Sequence, residues 1–93
     1  MILKKYSPKG KSCRVTFEVS LDSADSAIAV VGDFNDWDYT ANPMKRVSRS
    51  KVWRAVVSLK PGSEVQFRYL SDKGWLDEKN ADGVAGENAV LSV

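Results

Sequence analysis

Apolar and polar residues alternate along most of this chain, which is the pattern of half-buried β-strands. The runs 13–19, 52–59 and 65–70 have apolar side chains at every second position, and shorter apolar runs cover 27–31 and 88–93. Turn-forming residues separate the runs at Ser48-Arg49-Ser50, Pro61-Gly62, Asp72-Lys73-Gly74 and Asp82-Gly83. No stretch shows the 3.6-residue period of a helix. The pattern predicts an all-β fold, an antiparallel β-sandwich.

The same alternation assigns side chains to faces of the strands. Trp53 shares a face with Ala55 in its run, so we predict that Trp53 is a core residue. Arg68 alternates with Phe67 and Tyr69 and is therefore predicted on the opposite, polar face of its strand.

Length and composition are those of one small globular domain. The chain has 93 residues, of which 43% are hydrophobic and 28% charged, so we expect a single domain over 1–93 with one modest core. The N-terminal sequence MILKKYSPKGK has no long apolar run, and no segment approaches the ~20 apolar residues of a membrane span. We therefore expect neither a signal peptide nor a membrane partner, and a cytoplasmic location.

The positive charges cluster near the start of the chain, at Lys4, Lys5, Lys9, Lys11 and Arg14. The net charge is only +2, which is too small to indicate a nucleic-acid partner by itself. Lysines on an edge strand discourage pairing with other chains. We interpret the cluster as a solvated strand edge.

Cysteine and histidine content excludes several kinds of site. Cys13 is the single cysteine, and the chain has no histidine, so an internal disulfide, a Ser-His-Asp triad and a Cys-His pair are all absent. Cys13 falls on the apolar face of its run, where a free thiol acts as a small hydrophobe. We expect no metal and no other cofactor.

The stretch VVGDFNDWDYT, residues 30–40, holds three aspartates that invite a calcium interpretation. Asp33, Asp36 and Asp38 do not match the ligand spacing of an EF-hand loop. Aspartate and asparagine are also common in tight turns, because their side chains bond nearby backbone amides. We favour the turn, with Phe34 folding back into the core to fix it. A pair of glycoside-hydrolase carboxylates among Asp33, Asp36 and Asp77 is a remote alternative, since nothing in the spacing places two of them across a cleft.

Two tryptophans lie beside turns, outside the alternating runs. Trp37 sits among the aspartates of the polar turn, and an exposed aromatic side chain there indicates a contact surface. Trp75 follows the turn at 72–74. From the residues alone, Trp75 is equally well a cap over one end of the sandwich or a binding platform.

Several motifs taken together resemble a known family. VVGDFNDWD, VW-x4-SLKPG, VQFRYLSDKGW, ADG and GENAVLSV follow one another in this order. The chain resembles the isoamylase N-terminal, or early-set, domain, and is similar to the family-48 carbohydrate-binding modules and to the glycogen-binding domain of the AMP-activated protein kinase β subunit. The resemblance implies an immunoglobulin-like sandwich that binds α-1,4-glucans such as glycogen or starch.

The resemblance also implies roles for four residues. Trp37 is implied to stack on a glucose ring, and Trp75 to be the second platform. Arg68 and Asn88 are implied to bond sugar hydroxyls. The chemistry agrees, because an aromatic face offers apolar area to the C–H face of a sugar and an arginine donates several hydrogen bonds.

The chain departs from the family pattern in two places. It lacks the Asp-Pro that often follows the second tryptophan. The segment before the last strand is short, with Val84 as its apolar residue. A longer loop there adds an apolar residue and a hydroxyl to the glucan site of the kinase subunit. We therefore expect the shorter segment of this chain to change its affinity for glucans and the chain length that it prefers.

Two functions of different classes remain open. The first is a freestanding, non-catalytic α-glucan-binding module, because a catalytic barrel needs ~250 residues; a glycogen-metabolising enzyme is then a candidate protein partner. The second is a protein-interaction or scaffold module of the same fold, with weak or lost glucan binding.

Overall fold

The computed structural model describes residues 1–76, 78 and 81–93. Within these residues the chain forms nine β-strands and two single-turn 3-10 helices. The strands are β1 (Ile2–Tyr6), β2 (Cys13–Ser20), β3 (Ile28–Gly32), β4 (Lys45–Val47), β5 (Val52–Leu59), β6 (Glu64–Ser71), β7 (Gly74–Leu76), β8 (Gly83–Ala85) and β9 (Asn88–Ser92). The 3-10 helices are Leu21–Ser23 and Asp33–Asn35. In this part of the chain, no helix is both long enough and apolar enough to cross a bilayer.

The strands form two antiparallel sheets. The first sheet has the order β1-β2-β5-β4, and the second has the order β3-β6-β9-β8 with β7 paired to β6. After β3 the chain runs along that strand's edge, where Ala29 and Pro43 form an isolated bridge, and it then joins the first sheet as β4. The predicted all-β antiparallel sandwich is confirmed.

The core lies between the sheets and is built by the alternating runs. Cys13, Val15 and Phe17 of β2 are fully buried, as are Phe67 and Tyr69 of β6. Their rings meet, since the centroid of Phe17 lies 5.2 Å from that of Phe67. The predicted burial of the Cys13 thiol is confirmed.

Trp53 on β5 is also a core residue, as predicted. Its side chain is only 5% exposed, and its indole Nε1 donates a hydrogen bond of 3.2 Å to the carbonyl of Leu21. A buried indole N–H needs such an acceptor, because leaving it unpaired would cost about 1–3 kcal/mol. Trp53 therefore ties the first 3-10 turn to the sheet.

The basic cluster lies at a sheet edge. β1, which carries Lys4 and Lys5, is the outer strand of the first sheet, and both lysines are exposed. Lys9 and Lys11 lie in the connection to β2 and are also exposed. The prediction of a solvated strand edge is confirmed for Lys4 and Lys5, whereas Arg14, also exposed, lies on β2, which is paired on both sides.

Three short strands and one turn differ from the prediction. β4, β7 and β8 have three residues each, which is too few to show an alternation. The turn predicted at Asp82-Gly83 is wrong, because Gly83 already belongs to β8. The turn that leads into β9 is formed by Gly86 and Glu87 instead.

Candidate functional site

The turn after β3 is held by a close approach to β6. A Cβ atom on Gly32 would lie 2.4 Å from the carbonyl oxygen of Gln66 and 2.9 Å from the Cβ of Phe67, so only glycine fits there. The next residue, Asp33, accepts a hydrogen bond of 2.9 Å from the Gln66 amide through Oδ2. Phe34 packs against the core, as predicted, with its ring centroid 6.2 Å from that of Phe17.

Side-chain hydrogen bonds shape the remainder of this turn. Asn35 accepts a bond from the Gly32 amide and donates one of 2.8 Å to Asn42 Oδ1. Asp38 Oδ1 accepts bonds from both the hydroxyl and the amide of Thr40, which lower the pKa of the Asp38 carboxyl. The predicted turn chemistry is therefore confirmed for Asp38, whereas Asp33 bonds the Gln66 amide of β6 and not an amide of its own turn.

The backbone at Trp37 has an unusual conformation. Asp36 and Trp37 both have left-handed conformations, with φ of 56° and 59°. Aspartate tolerates this region, but it is uncommon for a bulky side chain. The Trp37 amide donates a bond of 2.9 Å to the carbonyl of Gly32, and the side chain remains 37% exposed.

A cleft of about 420 Å³ lies against the outer face of the second sheet. We call it the Trp75 cleft; its lining includes Arg68, Trp75, Glu78, Val84, Glu87 and Asn88. The structure thus brings together three of the four residues expected to bind sugar. Trp37 is not among the residues that line this cleft.

Arg68 and Trp75 stack on each other in the cleft. The guanidinium carbon of Arg68 lies 5.0 Å from the centroid of the indole, a cation–π contact. The Arg68 side chain is 17% exposed, and its Nη1 is 3.7 Å from Glu87 Oε2. Trp75 is 51% exposed, so it is not buried as a cap. Arg68 lies on the outer face of β6, as the alternation predicts, while Phe67 and Tyr69 lie in the core.

Asn88 is positioned by Gln66. The Asn88 Nδ2 donates a hydrogen bond of 3.0 Å to Gln66 Oε1, and the backbone amide of Gln66 is the group that Asp33 holds. Gln66 of β6 therefore connects the turn after β3 (residues 33–41, the Trp37 turn) with Asn88 in the cleft.

Glu78 contributes a carboxylate to the cleft lining. Its Oε1 accepts a hydrogen bond of 2.6 Å from the Tyr69 hydroxyl. Burial raises the pKa of the Tyr69 phenol, and the hydrogen bond to the Glu78 carboxylate and its negative charge add to this. Tyr69 therefore stays protonated and holds Glu78 in place.

The site predicted from the sequence did not include Gln66, Glu78 or Glu87. Gln66 shares the polar face of β6 with Arg68, so the alternation could have indicated it. Glu78 and Glu87 carry no such signal, because their positions depend on the β6–β7 and β8–β9 pairings. Asp77, one of the three carboxylates considered for catalysis, lies outside the described residues.

Comparison with known proteins agrees with this architecture. Residues 5–85 match the family model of carbohydrate-binding module 48, the isoamylase N-terminal domain. The chain belongs to this family. The resemblance seen in the motifs is confirmed, and the family is one of carbohydrate-binding domains.

Relatives of this module 48 domain include parts of much longer proteins. The chain is 37% identical over 59 residues to the 1,4-alpha-glucan branching enzyme GlgB 2 of Rhizobium johnstonii. It is 38% identical over 61 residues to the 1,4-alpha-glucan branching enzyme GlgB 1 of Xanthomonas axonopodis pv. citri. These matches cover 62% and 64% of the chain but only 8% of each relative.

Proposed function

We propose that this domain binds α-1,4-glucans without catalysis, through Trp37, Arg68, Trp75 and Asn88. The observation that carries the proposal is the Trp75 cleft, where a half-exposed indole, a guanidinium and an amide side chain line one open surface. The family is one of carbohydrate-binding modules, and the relatives are named for a 1,4-alpha-glucan.

Trp75 supplies a flat apolar platform. Since Arg68 stacks on the ring, the exposed half of Trp75 is left for the C–H face of a glucose unit. A contact that removes about 80 Å² of the indole from water contributes roughly 2 kcal/mol at ~25 cal/mol/Å². The stacked guanidinium also fixes the ring before the sugar arrives, which reduces the entropy lost on binding.

Arg68 and Asn88 supply the polar contacts. Glucose hydroxyls both donate and accept hydrogen bonds, and each net bond is worth ~1 kcal/mol. Arg68 is held by Trp75 and Glu87, and Asn88 by Gln66, so neither side chain must be ordered from a free state. Val84 is exposed at the same cleft and adds apolar surface despite the short segment that carries it.

Trp37 is the other platform in this proposal, although it does not itself line the Trp75 cleft. Its left-handed backbone supports a functional role, because such conformations are disfavoured by about 1–2 kcal/mol for non-glycine residues and cluster at binding sites. The hydrogen bonds of Asn35 and Asp38 stabilise the turn that carries Trp37.

The carboxylates near the proposed site have structural partners. Asp33 holds the Gln66 amide, Asp38 holds Thr40, and Glu78 accepts the Tyr69 hydroxyl. These contacts favour a binding role over acid–base catalysis. On this proposal, any chemistry on the glucan belongs to an enzyme of glycogen metabolism that the module accompanies.

Native gel electrophoresis with glycogen cast into the gel tests the proposal. The domain should migrate more slowly in the glycogen gel than in a plain gel, and Trp75→Ala should remove the difference. Identical migration of the parent in both gels would instead favour the protein-interaction module.

A further inference from the structure

A second cleft lies on the same outer face of the second sheet, next to β3. Its volume is about 320 Å³, and its lining includes Ala29, Tyr39, Pro43, Leu70 and Asp72. We call it the Tyr39 cleft. Tyr39 is 63% exposed, and it lies two residues beyond Trp37 on the same turn.

The two clefts are joined by strand register. Leu70, on the floor of the Tyr39 cleft, is directly opposite Trp75 in the β6–β7 pair. On its other side Leu70 is directly opposite Ala29 of β3, and Ala29 forms a bridge with Pro43. Directly opposed residues of antiparallel strands have side chains on one face. Trp75, Leu70, Ala29 and Pro43 therefore form one row across the outer face.

This row forms an extended surface along which a chain-like ligand can lie. Neighbouring strands are ~4.8 Å apart, so three steps from Trp75 to Pro43 span about 14 Å. Ala29 is nearly buried and Leu70 is half-buried, which gives a low apolar floor. Trp75 forms one end of the row, and Tyr39, another large exposed ring, lines the cleft that contains Leu70, Ala29 and Pro43.

The polar groups beside the Tyr39 cleft are already engaged within the protein. The Asp72 carboxylate accepts hydrogen bonds of 3.0 Å from the Asp25 amide and from the amide and hydroxyl of Ser26. Ser71 donates to the carbonyl of Gly74. Recognition in this cleft therefore depends on the Tyr39 ring and hydroxyl above an apolar floor, a surface that suits the C–H face of a sugar ring.

We infer that the Tyr39 cleft is a further carbohydrate subsite, which receives the continuation of a glucan chain bound at Trp75. This inference rests on the proposed function. It makes the domain selective for chain length, because only a ligand of several linked glucose units reaches both rings. The subsite also provides apolar contact away from the shortened segment around Val84.

Titration of maltotriose and maltoheptaose by calorimetry tests the inference on the parent, Tyr39→Ala and the control Tyr6→Ala. Tyr6 is an exposed tyrosine of β1 in the other sheet. Tyr39→Ala should weaken maltoheptaose binding about three- to tenfold, the range expected for one stacked ring. Maltotriose binding should stay within about twofold of the parent, and Tyr6→Ala should bind both sugars normally.

The outcomes separate this inference from the proposed function. If the parent binds maltoheptaose and Tyr39→Ala binds it equally well, the subsite is wrong and the proposed function stands. Equal weakening of both sugars by Tyr39→Ala would also contradict a subsite that only longer chains reach. If the parent binds neither sugar, both proposals fail. Thermal melting of Tyr39→Ala at the parent temperature would show that the variant is folded.

Discussion

The guanidinium carbon of Arg68 lies 5.0 Å from the centre of the Trp75 ring, on the outer face of the sheet that carries both residues. This contact turns a tryptophan on a three-residue strand into a supported platform. It also gives Arg68 two roles in the proposed site, as a support beneath the indole and as a donor to sugar hydroxyls.

A double-mutant cycle separates these roles. Arg68→Ala should weaken maltoheptaose binding less than Trp75→Ala does. The double variant should bind more tightly than the product of the two single losses of affinity predicts, with a coupling of at least about 0.5 kcal/mol. The reason is that Arg68 contributes to binding partly by supporting the Trp75 ring, and this part is already lost in Trp75→Ala. Arg68→Lys keeps the charge without the planar group and should show an intermediate loss. Calorimetry on the parent, the two alanine variants and the double variant measures the coupling. If the loss of affinity in the double variant equalled the product of the two single losses, the stack would contribute nothing to binding.

Gly32 should not tolerate a side chain. Its added Cβ would meet the Gln66 carbonyl at 2.4 Å and the Phe34 ring at 3.0 Å, so β3 and the Trp37 turn would have to move from β6. Gly32→Ala should lower the free energy of unfolding by about 2–3 kcal/mol or more. Gly83→Ala, where the added Cβ would lie 3.7 Å from the Val90 Cβ in ordinary van der Waals contact, is the control for a glycine substitution without a clash. Urea unfolding measures both, and equal stability of Gly32→Ala and the parent would contradict the close approach.

Trp53 should be essential for stability and irrelevant to direct sugar contact. Trp53→Ala removes a buried ring and the hydrogen bond to Leu21, which should cost about 3–5 kcal/mol. A loss of that size is a large part of the total stability of a small domain. Trp75→Ala, at an exposed ring, is the matched control and should melt near the parent temperature. If Trp53→Ala melted within a few degrees of the parent, the core assignment would be wrong.

Acid should destabilise the fold through aspartates that are hydrogen-bonded as carboxylates. The hydrogen bond from Lys4 and that from the Ser92 amide hold the pKa of Asp82 below its ordinary value. Burial acts to raise the pKa of Asp72, but the hydrogen bonds from Asp25 and Ser26 lower it overall. Since these pKa values are lowered by folding, the stability they contribute is present above about pH 4 and is lost as the pH falls below it.

Melting temperatures between pH 7 and pH 3 check this dependence. The parent should melt at lower temperature below about pH 4, and Asp82→Asn should show a smaller fall because it has lost one of the contributing carboxylates. Asp36→Asn, at an exposed position of the Trp37 turn, serves as the control and should follow the parent. A parent melting temperature that stayed constant down to pH 3 would refute the contribution of these aspartates.

Much of the fold could be predicted because long strands carry their own signal. β2, β5 and β6 have eight residues each, and they alternate clearly enough to assign Trp53 to the core and Arg68 to the outer face. The short strands could not be predicted in this way. The role of Trp75 depends on the pairing of β7 with β6, so its sequence position alone left a cap and a platform equally open.

The contacts that hold the site join residues far apart in sequence. Gln66 meets Asn88, and Asp33 holds the Gln66 amide, although more than twenty residues separate the partners in each pair. No periodicity encodes such contacts, since they follow from sheet register.

The central claim is that the domain binds an α-glucan through its two exposed indoles. Titration of maltoheptaose, followed by calorimetry and tryptophan fluorescence, tests it most directly. The parent should bind with a dissociation constant of order 0.01–1 mM, and Trp37→Ala and Trp75→Ala should each weaken binding about tenfold or more at an unchanged melting temperature. No binding by the folded parent at millimolar sugar, or parent-like binding by both tryptophan variants, would contradict the account.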